Sequence, residues 1–134
     1  MSRELCYLSA TEALKLFRRR KLSPVELLEA QIARAEAVEP KINAFTDTYY
    51  EEALAKARKA EAKYIQRSAR PRPLEGLPLV IKDEARLKGK RSTSGSLIFK
   101  DNVAEQSEIF IDRLLRAGAI CHARGARRNS AAPR

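Results

Sequence analysis

The fold of this chain is decided by residues 76–83, which read Gly-Leu-Pro-Leu-Val-Ile-Lys-Asp. Leu77 to Ile81 form a nearly continuous apolar run beside turn residues, a pattern typical of a short strand that is buried on both faces. Lys82 and Asp83 follow directly, where the strand leaves the sheet. Because ligands of open α/β sheets bind at the carboxyl ends of the strands, this stretch predicts a candidate site as well as a strand.

The segment after the strand predicts a βαβ unit. Residues 83–96 contain two glycines and several Ser, Thr and Lys residues, so we expect a loop. Residues 104–117 repeat apolar side chains at helical spacing, and Gly118 is a natural C-terminal cap. Residues 119–121 predict the next strand, and this order of elements implies a parallel pair in an α/β fold. Phe110, Leu114 and Ala117 are expected on one face of this helix, with Ile111 and Leu115 beside that face.

Three helices are predicted ahead of the strand. Residues 9–12 (Ser-Ala-Thr-Glu) and 23–26 (Ser-Pro-Val-Glu) both have the pattern of a capping box, the second with Pro at the first helical position. Pro40 is expected at or just beyond the end of the second helix, and residues 43–46 are expected to be extended. The third helix is expected over residues 49–65, with Leu54, Ala57 and Tyr64 buried.

Length and composition bound the class of protein. The chain has 134 residues, which is enough for one domain. Its apolar runs are too short for a membrane span, and residues 1–7 lack the basic and apolar blocks of a secretory signal, so we expect a cytoplasmic protein without membrane contact. Cys6 and Cys121 are expected to stay reduced there. Together with His122 they cannot fill a four-ligand structural zinc site, so no metal is expected.

The net charge of +10 points towards a nucleic-acid partner, but its distribution argues against one. Residues 1–64 have a net charge of +2 and residues 65–123 of +4, while residues 124–134, with four arginines and no acid, add +4. Residues 18–21 (Arg-Arg-Arg-Lys) lie at an expected helix C-terminus, where cations complement the helix dipole. Since no aromatic residue interleaves with them, we expect a solvated helix end and no nucleic-acid partner.

Lys82 is the candidate catalytic residue, and its position supports two interpretations. Partial burial at the strand end would disfavour the ammonium form and make the amine a base. Alternatively, the side chain reaches into solvent and pairs with Asp83 or Glu84.

Several segments together resemble the amidase signature family. Residues 74–83 (Leu-Glu-Gly-Leu-Pro-Leu-Val-Ile-Lys-Asp) are similar to its lysine-bearing segment. Gly89 and residues 92–96 (Ser-Thr-Ser-Gly-Ser) are similar to the glycine and Thr-x-Gly-Ser stretch that follows. Residues 113–120 resemble its next helix and strand, and residues 23–27 resemble its opening helices. The similarity covers about residues 5 to 124.

The resemblance implies a large α/β/α core and an amide hydrolase that acts on a small-molecule amide without metal or organic cofactor. In that family a neutral lysine accepts a proton through a bridging serine, a second serine attacks the amide carbonyl, and backbone N–H groups hold the oxyanion. The lysine corresponds to Lys82. Asp83, Thr93, Gly95 and Ser96 are expected to shape the site around it.

The two serines of that mechanism have no counterpart in this sequence. The family carries them in a Gly-Ser-Ser-Gly-Gly-Ser type segment downstream of the lysine, and residues 97–134 contain only Ser107 and Ser130. Ser107 is expected to cap a helix or face solvent. Ser92, Ser94 and Ser96 belong to the family's scaffold, so we expect no working Ser–Lys pair.

The last residues depart from the family, which continues after Arg124 with a Thr-Pro-Glu-Phe type segment. With one choice of codons for residues 127–130, reading one nucleotide earlier restores Thr-Pro-Glu-Phe. We therefore hypothesise a frameshift followed by premature termination, which sequencing of the coding DNA tests.

These observations predict one incomplete amidase domain over residues 1–134. Its parts are amino-terminal helices (1–65), an exposed linker (66–73), a strand–loop–helix–strand unit with the lysine motif (74–123) and a basic tail outside the family pattern (124–134). We expect a truncated amide hydrolase that is inactive alone, marginally stable and prone to self-association. The apolar side chains expected to lack partners on one side are Leu79, Val80, Ile81 and Ile120. The alternatives are a module that completes a separately encoded carboxyl-terminal part, and a small basic nucleic-acid-binding protein.

Overall fold

A computed structural model describes residues 2–66 and 68–126 of the chain. Its helices are α1 (Ser2–Leu5), α2 (Ala10–Arg18), α3 (Pro24–Ile42), α4 (Tyr50–Ile65) and α5 (Ile109–Arg116), with a 3₁₀ helix at Leu97–Phe99. Its strands are β1 (Phe45–Thr48), β2 (Pro78–Lys82) and β3 (Ile120–Gly125). The strand order is β1-β3-β2, with β1 antiparallel and β2 parallel to β3. The predicted α/β class and parallel pair are therefore confirmed.

Both predicted capping boxes start helices. The Ser9 Oγ accepts a hydrogen bond from the Glu12 N–H, and the Glu12 carboxylate accepts one from the Ser9 N–H at 3.0 Å. Ser23 and Glu26 make the same reciprocal arrangement at the start of α3. Arg18 is the last residue of α2 and Arg19 to Lys21 follow it, so their charges lie where they complement the helix dipole.

The prediction that Pro40 lies at or beyond the end of the second helix is wrong. Pro40 lies inside α3, which continues to Ile42 and ends at Asn43 with a left-handed φ of 46°. Pro40 removes one backbone hydrogen bond because it has no N–H, and α3 continues for only two residues beyond it. The Glu39 carboxylate satisfies the backbone beyond the end by accepting the N–H groups of Ala44 and Phe45 at 3.1 and 3.0 Å.

Helices cover both faces of the sheet. On one face α3 and α4 pack against β3 through a cluster of four buried side chains, which are Leu28, Ala53, Ala57 and Ile120. On the other face α5 and the loop after β2 pack against the strands through Ile81, Leu87, Ile111 and Cys121. The result is a three-layer arrangement in which the loop after β2 belongs to the second helical layer.

The prediction that β2 is buried on both faces is wrong, because Val80 and Lys82, which alternate onto one face of the strand, are exposed. Val80 is 40% exposed. Ile81 and Ile120 are only 3% exposed, so they do not lack partners as the expectation of truncation required. Leu79 is half-buried. One face of β2 thus exposes Val80 and Lys82, and β2 is also an edge strand of this sheet.

The helix predicted over residues 104–117 begins only at Ile109. Ala104 instead bonds to the segment before it, since its C=O accepts the Gly89 N–H at 2.8 Å and its N–H donates to the Lys90 C=O at 3.1 Å. Phe110, which was expected on one face with Leu114 and Ala117, is 57% exposed, and Ile111 takes the buried position of α5.

Strand β3 extends to Gly125, beyond the predicted residues 119–121. The first two residues of the expected tail, Arg124 and Gly125, are therefore part of the sheet. The frameshift hypothesis concerns residues 127–130, which lie outside the described residues. Within residues 2–66 and 68–126, none of the helices has the length and hydropathy to cross a membrane.

Candidate functional site

Lys82 is the last residue of β2, at the carboxyl end of the edge strand. Its side chain is 56% exposed, and its Nζ lies 3.4 Å from the Glu84 carboxylate. The described residues do not shield the Lys82 amine from water, and its role as a base stays a prediction. The geometry is that of the alternative, an ammonium in solvent beside an acidic neighbour.

Asp83 points to the opposite face of the sheet and is buried, with 1% of its surface exposed. Its carboxylate accepts a hydrogen bond from the Thr93 N–H at 3.0 Å and another from the Thr93 hydroxyl. The Arg124 Nη2 lies 3.4 Å from the Asp83 Oδ1. The Asp83 N–H continues the β2–β3 ladder by donating to the Gly125 C=O at 2.8 Å. This carboxylate therefore joins the end of β2 to β3 and to the following loop.

The ionised form of Asp83 is stabilised by its partners. Burial by itself raises the pKa of this carboxyl group, but the two hydrogen bonds from Thr93 and the positive charge of Arg124 outweigh burial. The net effect lowers the pKa of Asp83 below its usual value. The group is thus a buried carboxylate in a structural ion pair.

Residues 93–96 form a tight turn directly against Asp83. The Thr93 Oγ1 accepts the Gly95 N–H at 3.2 Å, and the Ser96 N–H donates to the Thr93 C=O at 3.0 Å. Ser94 and Gly95 have left-handed φ angles of 52° and 72°. Ser96 then caps the 3₁₀ helix by accepting the Ile98 N–H. The structure thus joins the predicted residues Asp83, Thr93 and Gly95 through hydrogen bonds, whereas Lys82 lies on the other face.

Sequence reasoning missed Arg124, because this residue falls in the segment predicted as a tail. Arg124 is fully buried, and its Nη2 donates to the Ser92 Oγ at 3.0 Å as well as approaching Asp83. Its Nε and Nη1 have no hydrogen-bond partner among the described residues, and the same holds for the buried hydroxyl of Tyr49. A charged residue within an otherwise apolar strand was the sequence signal for a buried pair.

The serines near Lys82 in sequence take part in structural hydrogen bonds. The Ser92 Oγ accepts from Arg124, the Ser96 Oγ from the Ile98 N–H, and the Ser107 Oγ from the Lys88 N–H at 2.9 Å. Ser107 is therefore not the cap of α5, whose N-cap residue is Glu108. Ser130 lies outside the described residues.

The fold and the site define the class of protein: an α/β domain with a lysine at the carboxyl end of a strand and a buried carboxylate behind it. The amidase family model matches residues 26–131. The chain is 38% identical over 117 residues to a glutamyl-tRNA(Gln) amidotransferase subunit from Carboxydothermus hydrogenoformans, and this region covers 87% of the chain and 24% of that relative. The corresponding protein from Chloroflexus aggregans is also 38% identical over 117 residues, with the same shares of the two chains covered.

Two solved structures have the same fold. A fatty acid amide hydrolase superposes with a TM-score of 0.86 at 24% identity, over 95% of this chain and 22% of that chain. A bacterial aryl acylamidase of the amidase signature enzymes superposes with a TM-score of 0.81 at 26% identity, over 91% of this chain and 26% of that chain. The chain belongs to the amidase family, and it spans about a quarter of the length of the curated relatives that it matches.

Proposed function

We propose that this chain is the lysine-bearing part of an amide hydrolase of the amidase signature type. The observation that carries the proposal is the position of Lys82 at the carboxyl end of β2, inside the 26–131 family match. Lys82 accepts the proton that a bridging serine relays from the nucleophilic serine, so that the nucleophile can attack an amide carbonyl. The substrate class is a small-molecule amide.

Asp83, Thr93, Gly95 and Ser96 shape the site from the far side of the strand. The Thr93 N–H and hydroxyl are both bonded to Asp83, so the turn over residues 93–96 is fixed to the residue that follows Lys82. The strand end thus fixes the backbone of Lys82, and its side chain must exchange its contact with Glu84 for one with the serine partner. These residues position the base and do not react.

We further propose that the 134-residue chain does not hydrolyse amides by itself. A lysine acts as a base only when it is neutral, which requires that its amine be shielded from water. The Lys82 side chain is 56% exposed and lies beside Glu84. The sequence also contains no Gly-Ser-Ser-Gly-Gly-Ser segment to supply the bridging serine and the nucleophile.

A second candidate function, a module that completes a separate carboxyl-terminal part, is favoured by one observation. Leu97 and Ile98 are 86% and 88% exposed, and the nearby Phe99 is 52% exposed. Exposed large apolar side chains in one short segment are typical of a surface that packs against protein. The edge of β2 is open as well. Under both proposals, Lys82 is shielded from water only when further protein covers residues 97–99 and the edge of β2.

The test is amide hydrolysis with p-nitroacetanilide as the substrate. The chain alone is expected to give the same rate as buffer. Mixing it with the part of the Carboxydothermus hydrogenoformans relative that lies beyond the matched region is expected to produce hydrolysis. Lys82→Ala should abolish this activity, whereas Lys88→Ala, an exposed lysine in the loop, should retain it. Hydrolysis that survives Lys82→Ala would contradict the role of Lys82, and turnover by the chain alone would contradict its inactivity.

A further inference from the structure

A cavity of about 310 Å³ lies on the α4 side of the domain, away from Lys82. Four cationic side chains line the cavity: Lys56, Lys59, Lys63 and Arg72. The other lining residues are Glu75 and the apolar residues Leu115, Gly118, Ala119 and Ile120. Its volume is at the lower end of the range of small-molecule sites, roughly 300–1,000 Å³. The cavity is therefore large enough for a small ligand. Its lining has a net positive charge.

The three lysines form one stripe on α4. Lys56, Lys59 and Lys63 are spaced by three and four residues, which places them on the same side of the helix. Lys56 pairs with Glu52 at 2.6 Å, and Lys63 complements the helix dipole in the last turn. Lys59 is exposed and has no ion-pair partner within the described part of the chain. Lys59 lies one turn from both Lys56 and Lys63, so it repels both neighbours and adds to the positive charge of the stripe.

Glu75 holds the remaining cations at the wall of the cavity. It is only 3% exposed, and its carboxylate accepts the Arg72 Nε at 2.7 Å, the Arg72 Nη2 at 2.9 Å and the Lys63 Nζ at 3.1 Å. The hydrogen bonds from the Arg72 side chain are the main reason why the pKa of Glu75 falls to about 2. One carboxylate thus fixes two cations in place and leaves the cavity with net positive charge.

The backbone around Glu75 is rigid. The Leu74 N–H donates to the Ala117 C=O at 2.8 Å, and the Gly76 N–H donates to the Gly118 C=O at 3.0 Å. A Cβ at Gly118 would lie 2.7 Å from the Glu75 Cα, so the two segments are in direct contact. A wall fixed in this way presents the cations in a constant geometry, which reduces the ordering that binding requires.

We propose that this cavity, lined by Lys56, Lys59, Lys63 and Arg72, binds a phosphate-class oxyanion. Arg72 and Lys63 already pair with Glu75, and Lys56 pairs with Glu52, so Lys59 is the cation of the lining without a carboxylate partner in the described part of the chain. Ammonium groups bind phosphate oxygens as point charges, and a lining with several cations suits an oxyanion that carries more than one negative charge. Leu115 and Ile120 leave room for a short apolar portion of the ligand.

The test is titration of the ¹⁵N-labelled 134-residue chain with inorganic pyrophosphate at low salt, followed by amide chemical shifts. Saturable shifts are expected in residues 56–63, 72–75 and 115–120, and sodium chloride at equal ionic strength should not reproduce them. Lys59→Gln should weaken binding about tenfold, the effect of losing one charge-assisted hydrogen bond. Lys59→Arg should retain binding.

The matched control is Lys88→Gln, which removes the same charge from an exposed lysine in the loop after β2. Its affinity for pyrophosphate should stay within about twofold of the unmodified chain, the scale of a screened distant charge. Equal losses in Lys59→Gln and Lys88→Gln, shifts that do not saturate, or shifts that sodium chloride reproduces would overturn the proposal. Lys82→Ala should leave pyrophosphate binding unchanged, so the outcome does not depend on the proposed amide hydrolysis.

Discussion

At the scale of single residues, the ion pair between Asp83 and Arg124 joins the carboxyl ends of β2 and β3. Both side chains are almost completely buried. Removing one partner of a buried ion pair leaves an uncompensated charge. Asp83→Asn is therefore expected to lower the free energy of unfolding by about 3 kcal/mol, measured by urea denaturation.

Asp101→Asn provides the matched control, because Asp101 is an exposed loop residue. It should change the free energy of unfolding by less than about 0.5 kcal/mol. Equal effects of the two substitutions would show that the Asp83–Arg124 pair contributes nothing beyond a surface charge.

His122 makes the stability of the domain depend on pH. It is 4% exposed, packs against the rings of Phe45 and Tyr50, and its burial lowers its pKa to about 4. The unfolded chain binds a proton below about pH 6.5, whereas the folded chain does not until near pH 4. The free energy of unfolding is therefore highest above pH 6.5 and should fall by about 2 kcal/mol between pH 8 and pH 5.

The substitution His122→Phe tests this origin, because it keeps an aromatic ring in the same packing but cannot titrate. Urea denaturation of this variant should give nearly the same free energy of unfolding at pH 8 and at pH 5. If the variant and the unmodified chain lose the same stability on acidification, another group is responsible.

At the scale of elements, the junction between α5 and β3 depends on Gly118. Its φ of 106° is in the left-handed region, and a Cβ there would meet the Glu75 Cα at 2.7 Å. Gly89 has a similar φ of 75°, but nothing lies within 4 Å of a Cβ placed there. The loss of stability in Gly89→Ala should thus reflect backbone strain alone. The loss in Gly118→Ala should reflect backbone strain and, in addition, a collision of the new Cβ with the Glu75 backbone.

We expect Gly89→Ala to cost about 1 kcal/mol in the free energy of unfolding and Gly118→Ala about 3 kcal/mol or more. Thermal or urea unfolding of the two variants measures the difference. Similar losses would mean that the 74–76 segment can move away from Gly118, and the rigid wall inferred for the basic cavity would then be absent.

At the scale of the whole molecule, the exposed apolar segment and the open edge of β2 predict self-association of the isolated chain. Leu97 and Ile98 are 86% and 88% exposed, and an unpaired strand edge is a template for another chain. Sedimentation velocity over a range of concentrations should show species larger than a monomer. The double substitution Leu97→Gln and Ile98→Gln should shift the distribution towards the monomer.

Tyr7→Gln is the control for this experiment, since Tyr7 is 71% exposed but lies after α1, at the other end of the chain. It should leave the sedimentation profile unchanged. A monomer at all concentrations for the unmodified chain would contradict the prediction.

How much the sequence predicts differs between local and long-range features. The capping boxes at Ser9 and Ser23, the third helix and the parallel strands follow from patterns within a few residues, and the structure confirms them. The exposure of Val80 did not follow, because an apolar run has the same pattern whether or not other elements cover each face of the strand. Which edge is open depends on strands that pair across the sequence.

The sequence alone determined the family, the position of Lys82 at a strand end and the loop that follows it, because these depend on short motifs and local backbone preferences. Only the tertiary structure decided that Arg124 belongs to the Asp83 site and that Lys59 and Arg72 line one cavity with Glu75. Those contacts join residues far apart in the chain, and only packing of the helices and strands brings them within hydrogen-bonding distance or around a common cavity.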